Sequence, residues 1–394
     1  MGGLTFSADD AVLTFQLHGE IDADAAAEIE RRIAEIRAAH PAEHIVVDCA
    51  DLTYMASAGL RIILRLKKSV DDTRLINVSS GVYEVLRITG FTDLMEIQKA
   101  FRVLSVEGCE RIGEGANGLV YRMDADTVVK VYRDADALPA IRHDQELART
   151  AFVLGVPTAI PYDVVRIEGG GYGSVFELLN TASLANLVTA GEKTLEEAAV
   201  ISTDLLKRIH GTAVRPDSMP DMRRIALDWV EFLEPYLPAD EFRKLYGLIE
   251  ALPEDRHMLH GDFHIKNIML QNDEALLIDM DTLCWGHPVF ELGSMFNAYR
   301  GFGETDPSVV EAFLGISAEK AAQFWDMTLR LYLDGADEKT VRAAEDRARI
   351  IGYMRIMRRR IRRAGLASGE GRAEVENCRK QLADLLPKVD SLLF

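Results

Sequence analysis

The chain has 394 residues, more than one hydrophobic core usually serves, so two or three domains are expected. Its 48% apolar and 27% charged residues fit a soluble globular protein, and its formal net charge of −18 argues against a general nucleic-acid binder, which needs a basic surface. The four cysteines (Cys49, Cys109, Cys284, Cys378) form no CxxC pair, which argues against metal knuckles and a disulfide framework.

The opening "MGGLTFSADD" lacks the basic-then-apolar order of a signal peptide, and Phe6 stands where a myristoylation pattern needs Ser or Thr. No apolar run is long enough to cross a bilayer, so a cytoplasmic protein without membrane contact is expected. "AVLTFQLHG" alternates like a half-buried strand. "DADAAAEIERRIAEIRAAH" predicts a helix capped by Asp22 or Asp24, with Ala26, Ile29, Ile33 and Ile36 on one face. "HIVVDCA" and "TRLINVS" read as strands. "SAGLRIILRLKKSV" and "SGVYEVLRITGF" read as helices, the latter stopping near Gly90. Residues 1–100 are thus a small α/β domain.

"GEIDADAAAEIERRI", "VVDCADLTYMASAGLRIILRLKK" and "LRITGFTDLMEI" make this block resemble a STAS domain, the module of bacterial anti-sigma factor antagonists. In regulatory members of that family a serine directly before the glycine of the second helix is phosphorylated; here that position is Ala58, with Ser57 before it and Ala56 where many members have aspartate. Ser57 reads as the helix N-cap, its hydroxyl accepting from an orphan N–H, with a phosphosite as the alternative. The resemblance implies a regulatory or docking role toward a protein partner. Residues 98–106, "QKAFRVLSV", carry no Pro or Gly-Ser run, so the blocks are expected to pack together.

The second block opens on "ERIGEGANGLVYRMDADTVVKVYR", in which Gly113, Gly115 and Gly118 form GxGxxG. A dinucleotide fold needs a strand before this motif and a helix after it; here alternating segments on both sides predict a hairpin, as in a kinase glycine-rich loop. Glycines there let backbone N–H groups approach phosphate oxygens. Lys130, on the strand behind the loop, can reach the α- and β-phosphates of ATP or simply point to solvent. The helix in "IRHDQELARTAFVLG" offers it a carboxylate partner: helical phase selects Glu146, with Asp144 as competitor. "GYGSVFELLN" reads as a strand leading to a helix at "TASLANLV"; in a kinase, backbone groups of about Glu177 to Leu179 would pair with adenine.

"HGDFHIKNIML" then places Asp262 between His260 and His264, with Asn267 five positions on. In "LLIDMDT" an apolar strand ends in Asp279, with Asp281 two residues later. Carboxylates so close repel unless a cation lies between them. Asn267 and Asp279 form an oxygen-only ligand set suited to Mg²⁺ rather than zinc, leaving Asp262 to orient a hydroxyl and take its proton. The histidines are expected to hold the loop through backbone groups or Asp279, not to bind metal.

"HGDFHIKN" followed by "IDMD" resembles the HGDxHxxN and IDxxD/E motifs of aminoglycoside phosphotransferase-like and choline kinase-like enzymes, over residues 107–394. The resemblance implies an α/β STAS domain followed by an α+β bilobal protein-kinase-like domain, with a mainly β lobe over 107–180 and a mainly helical lobe over 181–394. It implies Asp262 as catalytic base, Asn267 and Asp279 as Mg²⁺ ligands with Asp281 as a further acid of the metal site, and Lys130 on the ATP phosphates. The loop "GEGANGLV" is closer to that of protein kinases than to many antibiotic kinases, so antibiotic resistance is not implied. The acceptor pocket is expected in "GHPVFELGSMFNAYRGF" and the helices that follow. In "RARIIGYMRIMRRRIRRAGL", Ile350, Met354, Met357 and Ile361 are expected to face the core. Arg355, Arg358, Arg359, Arg362 and Arg363 form either a solvated basic face or an anion site. The favoured reading is an ATP- and Mg²⁺-dependent kinase of an unidentified small molecule; a protein kinase and a non-catalytic nucleotide sensor in a stress-signalling circuit are the alternatives.

Overall fold

Strand β1 (Gly3–Asp9) pairs antiparallel with β2 (Val12–Ile21), along which Leu13, Phe15, Leu17 and Ile21 are buried. β3 (His44–Met55), β4 (Asp72–Val78) and β5 (Ile97–Lys99) extend the sheet in parallel, in the order β1-β2-β3-β4-β5. Parallel neighbours need crossovers, supplied by α1 (Ala23–Ala39), α2 (Ser57–Ser69) and α3 (Ser80–Ile88). Asp22 caps α1, accepting from Asp24 and Ala25 N–H at 3.1 and 2.9 Å. Ala26, Ile29 and Ile33 are buried beneath it and Ile36 is partly buried. Gly90, at φ +78°, follows the end of α3.

The structure corrects the reading of Ser57. Ala56 is the last extended residue (φ −76°, ψ 171°) and occupies the cap position, with no side-chain cap bond. Ser57 is already helical, so its hydroxyl no longer sits where it could accept from the first-turn N–H groups; it is exposed.

This is a computed structural model, and it describes residues 2–9, 11–115, 117–363 and 365–394. The chain divides into units Met1–Leu104, which ends on the short strand β6 (Val103–Leu104), and Ser105–Phe394. Each unit encloses its own buried apolar cluster.

The second unit begins with antiparallel strands β7 (Arg111–Glu114), β8 (Gly118–Arg122) and β9 (Thr127–Tyr132). After α4 (Leu138–Val153), strands β10 (Pro161–Ile167) and β11 (Tyr172–Glu177) complete the order β10-β11-β9-β8-β7. The chain then passes to helix α5 (Leu184–Thr189), capped by Ser183, and to α6 (Leu195–His210), whose Thr194 and Glu197 form a capping box. α7 (Met222–Leu233) and α8 (Ala239–Glu250) follow.

Two small hairpin-like pairings then position the site. β12 (Met258–Leu259) pairs with β15 (Cys284–Trp285), and β13 (Ile268–Gln271) with β14 (Glu274–Leu277). Leu259 lies opposite Cys284, and Ile268 opposite Leu277. The segments 260–267 and 278–283 are therefore tied together at both ends. Helices α9 (Val289–Tyr299), α10 (Ser308–Leu314), α11 (Ala318–Tyr332), α12 (Glu338–Arg362) and α13 (Gly369–Leu385) complete the unit. Every residue of α9 is buried; α12 packs along it at Ile351 and Gly352, and Ile350, Met354 and Met357 of α12 are buried as well. Ile361 is partly buried against the same core.

Candidate active site

Asp262 sits in the loop between β12 and β13. Its carboxylate lies 3.6 Å from His264 Nε2, and Asn267 donates from Nδ2 to the Asp262 carbonyl at 3.0 Å. Asn267 thereby spends its amide donor on the loop; its Oδ1 has no partner among the described residues. His260 is fully buried; its Nε2 lies 3.2 Å from the Ile278 carbonyl, and its Nδ1 accepts the Asp262 N–H at 3.3 Å. The histidines thus bind the loop and Asp262 rather than Asp279.

Gly261 is required at its position. It has φ +83°, and a Cβ there would come within 2.4 Å of the Thr282 carbonyl, on the neighbouring segment. Asp279 also has a left-handed backbone, φ 62° and ψ 61°, which is costly for a residue with a side chain. That turn separates Asp279 from the apolar strand behind it.

Lys130 on β9 donates to Asp279 Oδ1 at 2.7 Å. Asn117 of the glycine-rich loop donates to Asp281 Oδ2 at 3.2 Å. The loop itself joins β7 to β8 through a bond from Gly115 N–H to the Gly118 carbonyl at 2.9 Å. A Cβ on Gly118 would lie 2.3 Å from the Val131 carbonyl, so close packing on β9 demands glycine there. Gly113 belongs to β7, and Ala116 lies outside the described residues.

Helix α4 corrects the sequence reading of the lysine's partner. Glu146 is exposed and does not approach Lys130. At about 100° per residue, the buried side chains Ile141, Leu147, Ala148 and Ala151 span an arc that includes Asp144 and lies opposite Glu146. Asp144 accepts the Tyr132 hydroxyl at 3.2 Å and is near enough to Lys130 to feel its charge. At the interlobe connection, Glu177 and Leu178 give their N–H groups to the carbonyls of Ile160 and Asp126, at 3.0 and 2.7 Å. The buried Leu179 has an N–H without a partner among the described residues.

Four residues the sequence reading did not single out, together with Arg355, hold the Asp262 loop. Glu291, 1% exposed, accepts N–H bonds from His260 at 2.5 Å, Gly261 at 3.0 Å and Phe263 at 3.3 Å. Thr282 donates to the His260 carbonyl at 2.8 Å and Ser294 to that of Gly261 at 3.0 Å. The Tyr299 hydroxyl accepts the Ile265 N–H at 3.0 Å. Arg355 Nη1 also donates to the Gly261 carbonyl, at 2.8 Å; the sequence reading places it on a solvated basic face or in an anion site. One signal was present: Glu291 is the lone carboxylate in the apolar run "PVFELGSMF", and a charge so placed is buried only when bonded.

A model of the phosphotransferase enzyme family (APH) matches residues 108–325, more than half of the chain. The chain belongs to that family. A STAS-domain model matches residues 5–103, so the phosphotransferase-family domain follows a STAS domain. No curated protein matches the chain. Among solved structures, a choline/ethanolamine kinase family protein from Mesorhizobium loti is 17% identical, covering 71% of this chain and 87% of its own, at TM-score 0.47. Aminoglycoside phosphotransferase APH(4)-Ia, in a complex with ADP and hygromycin B, is 12% identical over 72% of this chain and 94% of its own, at 0.49. Aminoglycoside phosphotransferase APH(2")-IIa, bound to gentamicin, is 14% identical over 78% and 96%, at 0.47.

The electrostatics of the phosphotransferase-family site divide its acids into two kinds. Burial alone would push Asp262 up, but the His264 imidazole, Arg355 and His260 more than offset it and hold the carboxyl well below its usual range. Asp281 is pushed up to about 7 by burial and by the Asp279 carboxylate. Burial would lower the Lys130 ammonium, yet Asp279 and Asp281 keep it above its ordinary value. Burial would also raise Glu291, but His210, 4.0 Å away, together with His260 and the loop N–H groups holds it below the usual carboxylate range. Among the described residues no group of three or more His, Cys, Asp or Glu side chains is placed to hold a metal. The acids at one point are a pair, Asp279 and Asp281, under mutual repulsion.

Proposed function

We propose that this protein transfers the γ-phosphoryl group of ATP, with Mg²⁺, to a hydroxyl of a small molecule, and that its STAS domain is a regulatory or docking module for a protein partner. One observation carries the reading: Lys130, from the β lobe, reaches Asp279 at 2.7 Å, beside the loop that presents Asp262 and Asn267. Chain segments far apart in sequence thus bring a cation, two metal-type acids and a separate carboxylate to one place.

The residues fit a hard divalent cation. The Asp279–Asp281 repulsion that lifts Asp281 is relieved by a positive ion, and Asn267 has an amide oxygen to spare. Asp279, Asp281 and Asn267 would hold Mg²⁺, whose charge neutralises phosphate oxygens. Gly113, Gly115 and Gly118 let the loop backbone approach those phosphates, and Lys130 binds them in place of Asp279. The Leu179 N–H is the donor left for adenine at the Glu177–Leu179 connection.

Asp262 orients the acceptor hydroxyl. The hydroxyl oxygen bonds to the γ-phosphorus, the bond from that phosphorus to the ADP oxygen breaks, and the hydroxyl proton passes to Asp262. A carboxyl held below its usual range is a weak base, so it takes the proton late, which suits a loose transition state in which positioning does most of the catalysis.

The test is ATP consumption with Mg²⁺ against pooled metabolites and, separately, against cell-extract proteins. Phosphate appearing on metabolites is expected. Phosphate appearing only on protein would make this a protein kinase, and ATP binding without any transfer would make it a nucleotide sensor.

A further inference from the structure

Helix α12 carries Arg355, Arg358, Arg359, Arg362 and Arg363 at spacings of three and four residues, which places them on one side of the helix. Like charges so spaced repel and destabilise a helix. In a protein of net charge −18, counter-charges are abundant. Arg360, on the same stretch, has one, pairing with the buried Glu374. Yet among the described residues none of the five has a carboxylate within ion-pair distance, and the Nε of Arg358 is buried without a partner. Three of the guanidinium groups instead lie over aromatic rings: Arg355 and Arg358 at 5.7 and 5.0 Å from the Trp229 ring centre, and Arg359 at 5.0 Å from that of Phe302. Such a contact uses no N–H donor, so among the described residues Arg358 and Arg359 keep theirs for an anion, while Arg355 gives one to the loop. The cluster adjoins the catalytic loop, since Arg355 bonds the Gly261 carbonyl at 2.8 Å and the Arg359 charge is felt by Asp262.

We infer that this arginine face binds an anionic group, phosphate or carboxylate, of the acceptor whose hydroxyl Asp262 receives. The inference rests on the phosphotransferase reading and narrows it: a cationic acceptor would be repelled here. Planar guanidinium forks suit the paired oxygens of either anion.

Trp229 supplies the readout. Full-length protein saturated with Mg·AMP-PNP, which fills the nucleotide site, is titrated with glycerol 3-phosphate, glycerate or glycerol while tryptophan emission is followed. At least one anionic probe should change the emission saturably, glycerol should not, and Trp229→Phe should remove the change. Arg358→Ala combined with Arg359→Ala should raise the half-saturating concentration by about ten-fold or more, as loss of one charge-assisted contact predicts. Arg358→Lys, which keeps the charge, should shift it less. An equal response to glycerol and both anions, or an unchanged midpoint in the double variant, overturns the inference. Transfer from Mg·ATP to neutral or cationic acceptors alone overturns it too while leaving the phosphotransferase reading intact. Anion binding as expected, with no transfer to any pooled metabolite, instead overturns that reading and leaves the anion site standing.

Discussion

At the residue scale, the site separates one carboxylate stabilised as the anion from a pair that cannot comfortably ionise together. Asp262 is stabilised as an anion by His264, Arg355 and His260. Asp262→Asn keeps the shape and removes the proton acceptor, so turnover should fall by roughly 10²- to 10⁴-fold while Mg·ATP affinity stays near that of the parent; wild-type-like turnover would exclude the role. Asp279→Ala should abolish Mg²⁺-dependent nucleotide binding in a calorimetric titration, and an unchanged affinity would argue against it as a ligand. Asp281 behaves oppositely to Asp262. Its folded-state value, about 7, lies above its ordinary 3.8, so the folded protein holds this proton more tightly than the unfolded chain. Stability from this group is therefore lost as pH rises from about 4 to about 7. A bound cation needs the carboxylate, so the Tm increase produced by Mg·AMP-PNP should be larger at pH 8 than at pH 6. Asp281→Asn should flatten that dependence.

At the element scale, the Asp262 loop is held by helix packing more than by its own residues. The first turn of α9 delivers Glu291 to three loop N–H groups, and α12 delivers Arg355 to a loop carbonyl. Glu291→Gln puts a donor amide against N–H groups that need an acceptor. It should cost about 1.5–3 kcal/mol, the range for hydrogen bonds to a charged group, seen as a lower midpoint in denaturant. Turnover should fall as well, because Asp262 sits on the loop so released. An unchanged midpoint would mean the loop holds itself.

At the scale of the whole molecule, two separate buried clusters serve the two units. Independent cores commonly unfold in separate transitions. Calorimetry should resolve two, and Mg·AMP-PNP, proposed to bind the phosphotransferase-family domain alone, should raise one and leave the other in place. A single transition shifted as a whole would show the units to be thermodynamically coupled.

The order of elements and the two-family architecture were legible in the residues themselves. Alternating and helical periodicities are local, and the motifs "GEGANG", "HGDFHIKN" and "IDMD" keep their spacing whatever surrounds them. Choices between close neighbours were not. Ser57 lost the cap to Ala56 because a cap is defined by where the backbone turns helical, a matter of one residue. Glu146 yielded to Asp144 because the phase of α4 is set by what it packs against. Glu291, Thr282, Ser294, Tyr299 and Arg355 came to the Asp262 loop from up to 94 residues away. The sequence by itself determined the two families and the motifs that carry their characteristic residues, since residue types and short spacings suffice for that. Only the tertiary structure decided which groups hold the Asp262 loop in place and left five arginines without a carboxylate partner among the described residues, because those partners are chosen by packing between helices that no local pattern records.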